Sequence, residues 1–118
     1  MYAPPGVKTS ADMPVPDRMK AWVLGDPGEL KLTDKAVPVP RRAEVLVRID
    51  AVAICATDLD VIASGPPAMI QGGLPFNKNW TPGHEYMGTV AALGPGVDEY
   101  TIGQRVTVEI HAGCGQCK

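Results

Sequence analysis

From residue 19 onward, apolar and polar residues alternate with a period near two, the pattern of strands that bury one face. MKAWVL at 19–24 and ELKLT at 29–33 flank the turn Gly25-Asp26-Pro27-Gly28. This predicts an N-terminal hairpin in which Leu30 and Leu32 face one way and Lys31 the other. Valine alternates with proline over residues 36–40, and proline has no N–H to give a central ladder, so an edge or an extended connector is expected there. The clearest strand follows, with Val45, Val47, Ile49, Ala51 and Ala53 on one face and Leu46, Arg48, Asp50 and Val52 on a more mixed one. MGTVAAL at 87–93 and QRVTVEI at 104–110 predict two further strands, joined through Gly94-Pro95-Gly96 and a turn at Gly103.

Two segments break this rhythm. Residues 57–63 predict a short helix, with Thr57 or Asp58 as N-cap and Gly65-Pro66-Pro67 as its stop. Residues 66–82, with four prolines and two glycines, predict a long surface loop. Before Met19, residues 1–18 carry four prolines and no apolar periodicity. They are expected to be a flexible tail, with residues 19–118 as the folded domain.

Composition narrows the class. In 118 residues there are 13 glycines and 12 prolines, about twice average usage, which favours many turns and short strands. The length suits one domain of modest core. A net charge of −2 provides no basic field for nucleic acid or an anionic membrane, and the longest apolar run is too short to span a bilayer. Three cysteines, an odd number, do not form a secreted disulfide framework. Without a secretory signal or a convincing presequence in residues 1–18, the cytoplasm is the expected compartment.

Three clusters carry candidate chemistry. Cys55-Ala56-Thr57-Asp58 stands where the long strand ends, although a cysteine in apolar company is commonly a small buried hydrophobe. Gly83-His84-Glu85 offers imidazole and carboxylate, which are zinc donors but also ordinary hydrogen-bonding groups. Cys114-Gly115-Gln116-Cys117 has the spacing at which two thiolates meet one tetrahedral metal, and is half of such a site. A redox pair is the rival, but it requires a helix after a βα unit that this chain does not offer.

Taken in order, these residues resemble the N-terminal catalytic domain of zinc-dependent medium-chain alcohol dehydrogenases, close to the threonine and polyol branch. The resemblance rests on MKAW at 19–22, EVLVRI at 44–49, ICATD at 54–58, PGHEYMG at 82–88, GPGV at 94–97, GQRV at 103–106 and CGQC at 114–117. It implies a mainly β, GroES-like, partly open barrel with short helices. It implies that Cys55 and His84 bind a catalytic Zn2+, with Glu85 behind the metal or on it. Thr57 would relay the alcohol's proton, Asp58 would orient the histidine, and Cys114 and Cys117 would supply half of a structural zinc lobe. The implied reaction moves hydride between a small alcohol and NAD or NADP, in a full-length homodimer or homotetramer without nucleic-acid or membrane partners.

Asp60 stands where many relatives have a relay histidine, and Gln104 where an aspartate is usual. His111 and Glu109 resemble a branch in which a histidine lies near the active site. No GxGxxG motif occurs in these residues, so no cofactor-binding residue is assigned. The dinucleotide domain and the remaining zinc ligands are expected beyond Lys118, and residues 1–118 by themselves are expected to be inactive. The alternatives are a free-standing GroES-like interaction module and a zinc-free quinone reductase-like protein.

Overall fold

A computed structural model describes residues 1–65 and 79–110. Among these described residues, five strands and one helix run in the order β1 (Arg18–Leu24), β2 (Leu30–Ala36), β3 (Val45–Ala53), α1 (Ala56–Ser64), β4 (Glu85–Leu93) and β5 (Arg105–Thr107). The β1–β2 hairpin forms one sheet, and β3, β4 and β5 form a second, antiparallel sheet with β4 in the centre. The mainly β character is what the alternating pattern predicts, and the open sheets agree with what the resemblance implies.

β4 is the spine of the core. Val90, Ala91, Ala92 and Leu93 are all buried. Ala91 and Ala92 pack with Leu46 in one cluster, and Val90 and Leu93 pack with Val97, Ile102, Val106 and Val45 in another. A continuous apolar run, rather than alternation, is what a strand covered on both faces requires. On β3 the pairing shifts register between Leu46 and Val47 and again between Ile49 and Ala51. The first shift leaves Ala91 of β4 unpaired and the second leaves Asp50 of β3 unpaired. Leu46 is buried, while residues of both expected faces are exposed from Arg48 to Ala53, so the simple two-face division expected of this strand does not hold.

The second irregularity is tied by a polar cluster. Thr89 donates its hydroxyl to the Asp50 carboxylate at 2.6 Å, and Arg48 Nε donates to the same group at 3.1 Å. The Thr89 hydrogen bond, then Arg48, with Arg105 on β5 adding attraction, hold the Asp50 carboxyl below its ordinary range despite some desolvation. A carboxyl whose folded pKa is depressed stabilises the fold above its unfolded pKa, about 3.9, and loses that contribution as pH falls through the folded value. A Thr89→Val variant should therefore be less stable than wild type near pH 7. The gap should narrow as denaturation midpoints are followed below about pH 4. A gap independent of pH would assign the loss to packing alone.

Three sequence expectations are corrected. Residues 1–18 are not a free tail: Tyr2, Val7, Met13 and Val15 pack against Leu46, Ala91 and Ala92. Lys8 and Leu93 also exchange backbone hydrogen bonds at 2.9 and 3.0 Å, and the Tyr2 hydroxyl donates to the Pro38 carbonyl at 2.7 Å. Aperiodic apolar residues find a surface because Leu46, Ala91 and Ala92 form an apolar patch that they cover. The helix begins one residue earlier than expected, at Ala56, and its N-cap is Cys55 rather than Thr57 or Asp58. The last strand is three residues, Arg105–Thr107, rather than seven, with one further backbone bond from Val108 N–H to Tyr86 O at 3.2 Å.

Gln104 has a structural role: its side-chain oxygen accepts the Thr101 N–H at 3.1 Å and closes the turn at Gly103. Most of the expected surface loop at 66–82, together with His111, Cys114 and Cys117, lies outside the described residues.

Candidate metal centre

The site forms where β3 ends and α1 begins. Cys55 has extended backbone (φ −94°, ψ 154°) and closes the strand as the helix N-cap. Asp58, three residues on, reaches back so that its Oδ2 accepts the Cys55 N–H at 2.9 Å. This is the carboxylate half of a capping box, satisfying one of the free donors at a helix start. At the other end of α1, Gly65 donates to the Val61 carbonyl at 2.8 Å with φ +81°, a conformation glycine adopts freely. Gly28 of the hairpin turn donates to the Ile62 carbonyl at 2.7 Å, fixing the helix against the first sheet.

His84 arrives from the opposite direction, immediately before β4. The segment leading to it is held by the hairpin. Leu24 N–H donates to Trp80 O at 2.9 Å, and Lys35 Nζ donates to Asn79 O at 2.7 Å and lies 3.4 Å from Thr81 Oγ1. Gly83 then takes φ +106°, and a Cβ there would press on Val52. Lys35 and Trp80 are positioning residues that the sequence did not disclose, since neither belongs to a chemical motif.

These constraints bring together three potential donors, Cys55 Sγ, one His84 ring nitrogen and a Glu85 oxygen, all within 4.8 Å of one another. Cys55 and His84 are half-buried and Glu85 is exposed. His84 Nδ1 lies 3.3 Å from Asp58 Oδ1, and Nε2 lies 3.9 Å from Glu85 Oε1. Asp58 is only 8% exposed, so its carboxylate is an inward-facing acceptor for Nδ1–H, which leaves the Nε2 lone pair on the side of Cys55 and Glu85. Thr57 Oγ1 is 2.9 Å from Cys55 Sγ. Asp60 is exposed on α1.

Zinc bound tetrahedrally by sulfur at about 2.3 Å and nitrogen or oxygen at about 2.0–2.1 Å places its ligand atoms roughly 3.5 Å apart. A soft thiolate, an imidazole and a carboxylate gathered on that scale fit Zn2+, and a buried acceptor behind the imidazole is the partner that metal-binding histidines use.

Beside the site, the surface between β3, β4 and residues 107–110 forms a shallow depression of about 460 Å3. Ala51, Val52, Met87, Val108 and Ile110 line it, and Glu85 is on its rim.

The fold is a strand-rich domain that gathers three potential metal donors where β3 gives way to α1. The chain belongs to the alcohol dehydrogenase GroES-like domain family, whose model matches residues 41–118. It is 38% identical over 104 residues to the sorbitol dehydrogenase of Bacillus subtilis strain 168, covering 88% of this chain and 28% of that protein. It is 41% identical over 103 residues to the L-threonine 3-dehydrogenase of Stenotrophomonas maltophilia strain K279a, covering 85% and 28%.

Among solved structures it resembles a thermostable alcohol dehydrogenase from Pyrobaculum aerophilum, with a TM-score of 0.75 and 31% identity over 86% of this chain and 29% of that one. It also resembles an acetophenone reductase from Geotrichum candidum solved with NAD, with a TM-score of 0.69 and 33% identity over 89% and 29%. The chain thus spans a little over a quarter of the length of the relatives it matches. No helix among the described residues is long and apolar enough to cross a membrane.

Proposed function

We propose that this chain is the metal- and substrate-binding part of a longer cytoplasmic, zinc-dependent oxidoreductase. That enzyme moves hydride between a secondary alcohol, a polyol or an L-threonine-type substrate and NAD or NADP. The observation that carries the proposal is the convergence of Cys55, His84 and Glu85 within 4.8 Å, from two segments that the fold holds independently.

Cys55, His84 and Glu85 would hold the ion, and a bound Zn2+ supplies Lewis-acid polarisation of an alcohol oxygen. Asp58 keeps His84 in the tautomer whose Nε2 can ligate. The exposed Thr57 hydroxyl can take a proton from the alcohol and pass one to water, since it both accepts and donates. Cys114 and Cys117 are proposed to contribute two thiolates to a second, structural zinc, and the nicotinamide would be bound outside these 118 residues. The substrates named for the relatives, sorbitol and L-threonine, make a small hydroxylated compound the substrate class to try first.

The test is metal analysis of the full-length protein, combined with alcohol-dependent reduction of NAD or NADP. About two zinc ions per subunit are expected, with turnover lost on chelation and regained with Zn2+. Turnover that survives complete removal of metal would overturn the proposal.

A further inference from the structure

We propose that Thr57 is a positioning residue for the metal-ligating sulfur: its hydroxyl donates a hydrogen bond to Cys55 Sγ and so sets how strongly that sulfur donates to the metal. The inference rests on the proposed metal-binding role of Cys55 and adds to the proton-handling role of the same side chain.

The two atoms lie 2.9 Å apart, short for a contact involving sulfur. In the metal-free protein either atom can be the donor. A thiolate on a metal has no hydrogen, so in that state the hydrogen must come from Thr57. The backbone enforces the contact. Cys55 is the N-cap and Thr57 the second residue of α1, and the Asp58 bond to the Cys55 N–H fixes the cap conformation.

A hydrogen bond from a hydroxyl to an anionic sulfur is charge-assisted. It stabilises the sulfur lone pairs, draws charge from the metal–sulfur bond and fixes the χ1 of Cys55. It leaves the lone pairs of Thr57 Oγ1 free to accept from an alcohol, and the hydroxyl turns from the sulfur when it passes a proton to water. Outer partners of this kind commonly change metal affinity 10- to 100-fold.

Co2+ makes this measurable, because a thiolate bound to Co2+ gives a sulfur-to-metal charge-transfer band whose energy follows the sulfur lone-pair energy. In the full-length protein loaded with Co2+, the Cys55 component is the part of that band lost in Cys55→Ser. Thr57→Val keeps the shape of the side chain and removes the hydroxyl. It is expected to move the Cys55 component to longer wavelength and to weaken Co2+ binding roughly tenfold. Thr57→Ser is expected to return both to wild-type values.

A weaker affinity with an unmoved band would mean a packing role only and would overturn the inference, as would a shift that serine does not reverse. If wild type has no Cys55-dependent band, the metal-binding proposal itself fails, an outcome distinct from an unmoved one.

Discussion

An Asp58→Asn protein is expected to bind Zn2+ roughly 10- to 100-fold more weakly than wild type, while retaining its secondary structure. Asparagine has nearly the shape of aspartate, so it tests the two acceptor oxygens and not the volume. In the wild type those oxygens perform separate tasks: Oδ2 accepts the Cys55 N–H at 2.9 Å, and Oδ1 lies 3.3 Å from His84 Nδ1.

Asparagine can accept at only one of these places and must present an N–H2 at the other. If the amide oxygen stays on Cys55, the N–H2 faces His84 Nδ1. The imidazole then gains by carrying its proton on Nε2, the nitrogen that should ligate. If the amide is turned, two N–H donors confront each other at the start of α1, and the cap that fixes Cys55 is lost. Competition with a chromophoric chelator reads the affinity, and far-UV circular dichroism checks the fold. An affinity within twofold of wild type would show that His84 is oriented by something other than Asp58.

The same residue shows how far the sequence discloses the site. An acid three residues after a helix start is a capping signal, but the cap itself is a cysteine, which lies outside the usual Ser, Thr, Asp and Asn set. The helix start was therefore placed on Thr57 or Asp58. That Cys55 and His84 should meet could not follow from periodicity, because 28 residues separate them in sequence. Only the resemblance to zinc dehydrogenases paired them.

Glu85 was expected behind the metal or on it, and the structure puts an oxygen of it within the donor cluster while its backbone opens β4. The strands were legible wherever burial alternates, as along most of β1. They were less so on β3, where residues of both expected faces are exposed from Arg48 to Ala53. Residues 1–18 read as a tail because their apolar side chains follow no period. Such residues pack only when a complementary surface exists, and that surface is made by β4, some 80 positions away.

A second large effect is expected from a residue with no chemistry. Gly88 lies on β4 opposite Ile49, four residues after His84, and is buried. A Cβ at this position would run into the carbonyl oxygen of Arg48 and into Cγ1 of Val47. The first obstacle is backbone in the neighbouring strand, so it cannot turn aside as a flexible side chain would. The strands must separate, at the place where β3 already breaks register between Ile49 and Ala51.

Overpacking in a core costs about 1–3 kcal/mol and sometimes more, and an immovable neighbour puts Gly88→Ala at the upper end, about 3 kcal/mol. In a domain near 100 residues that corresponds to a fall in Tm of roughly 10–20 °C. Gly103→Ala is the comparison: its φ of +92° strains an alanine, but nothing lies within 4 Å of the added carbon, so only a backbone cost of about 1–2 kcal/mol applies. Because β4 carries Glu85 and directly follows His84, Gly88→Ala should also weaken Zn2+ binding at temperatures where the fold survives, whereas Gly103→Ala should not. Equal losses of Tm in the two variants would show that β3 and β4 yield around the added methyl, and that the close approach at Gly88 does not set the strand spacing on which the site depends.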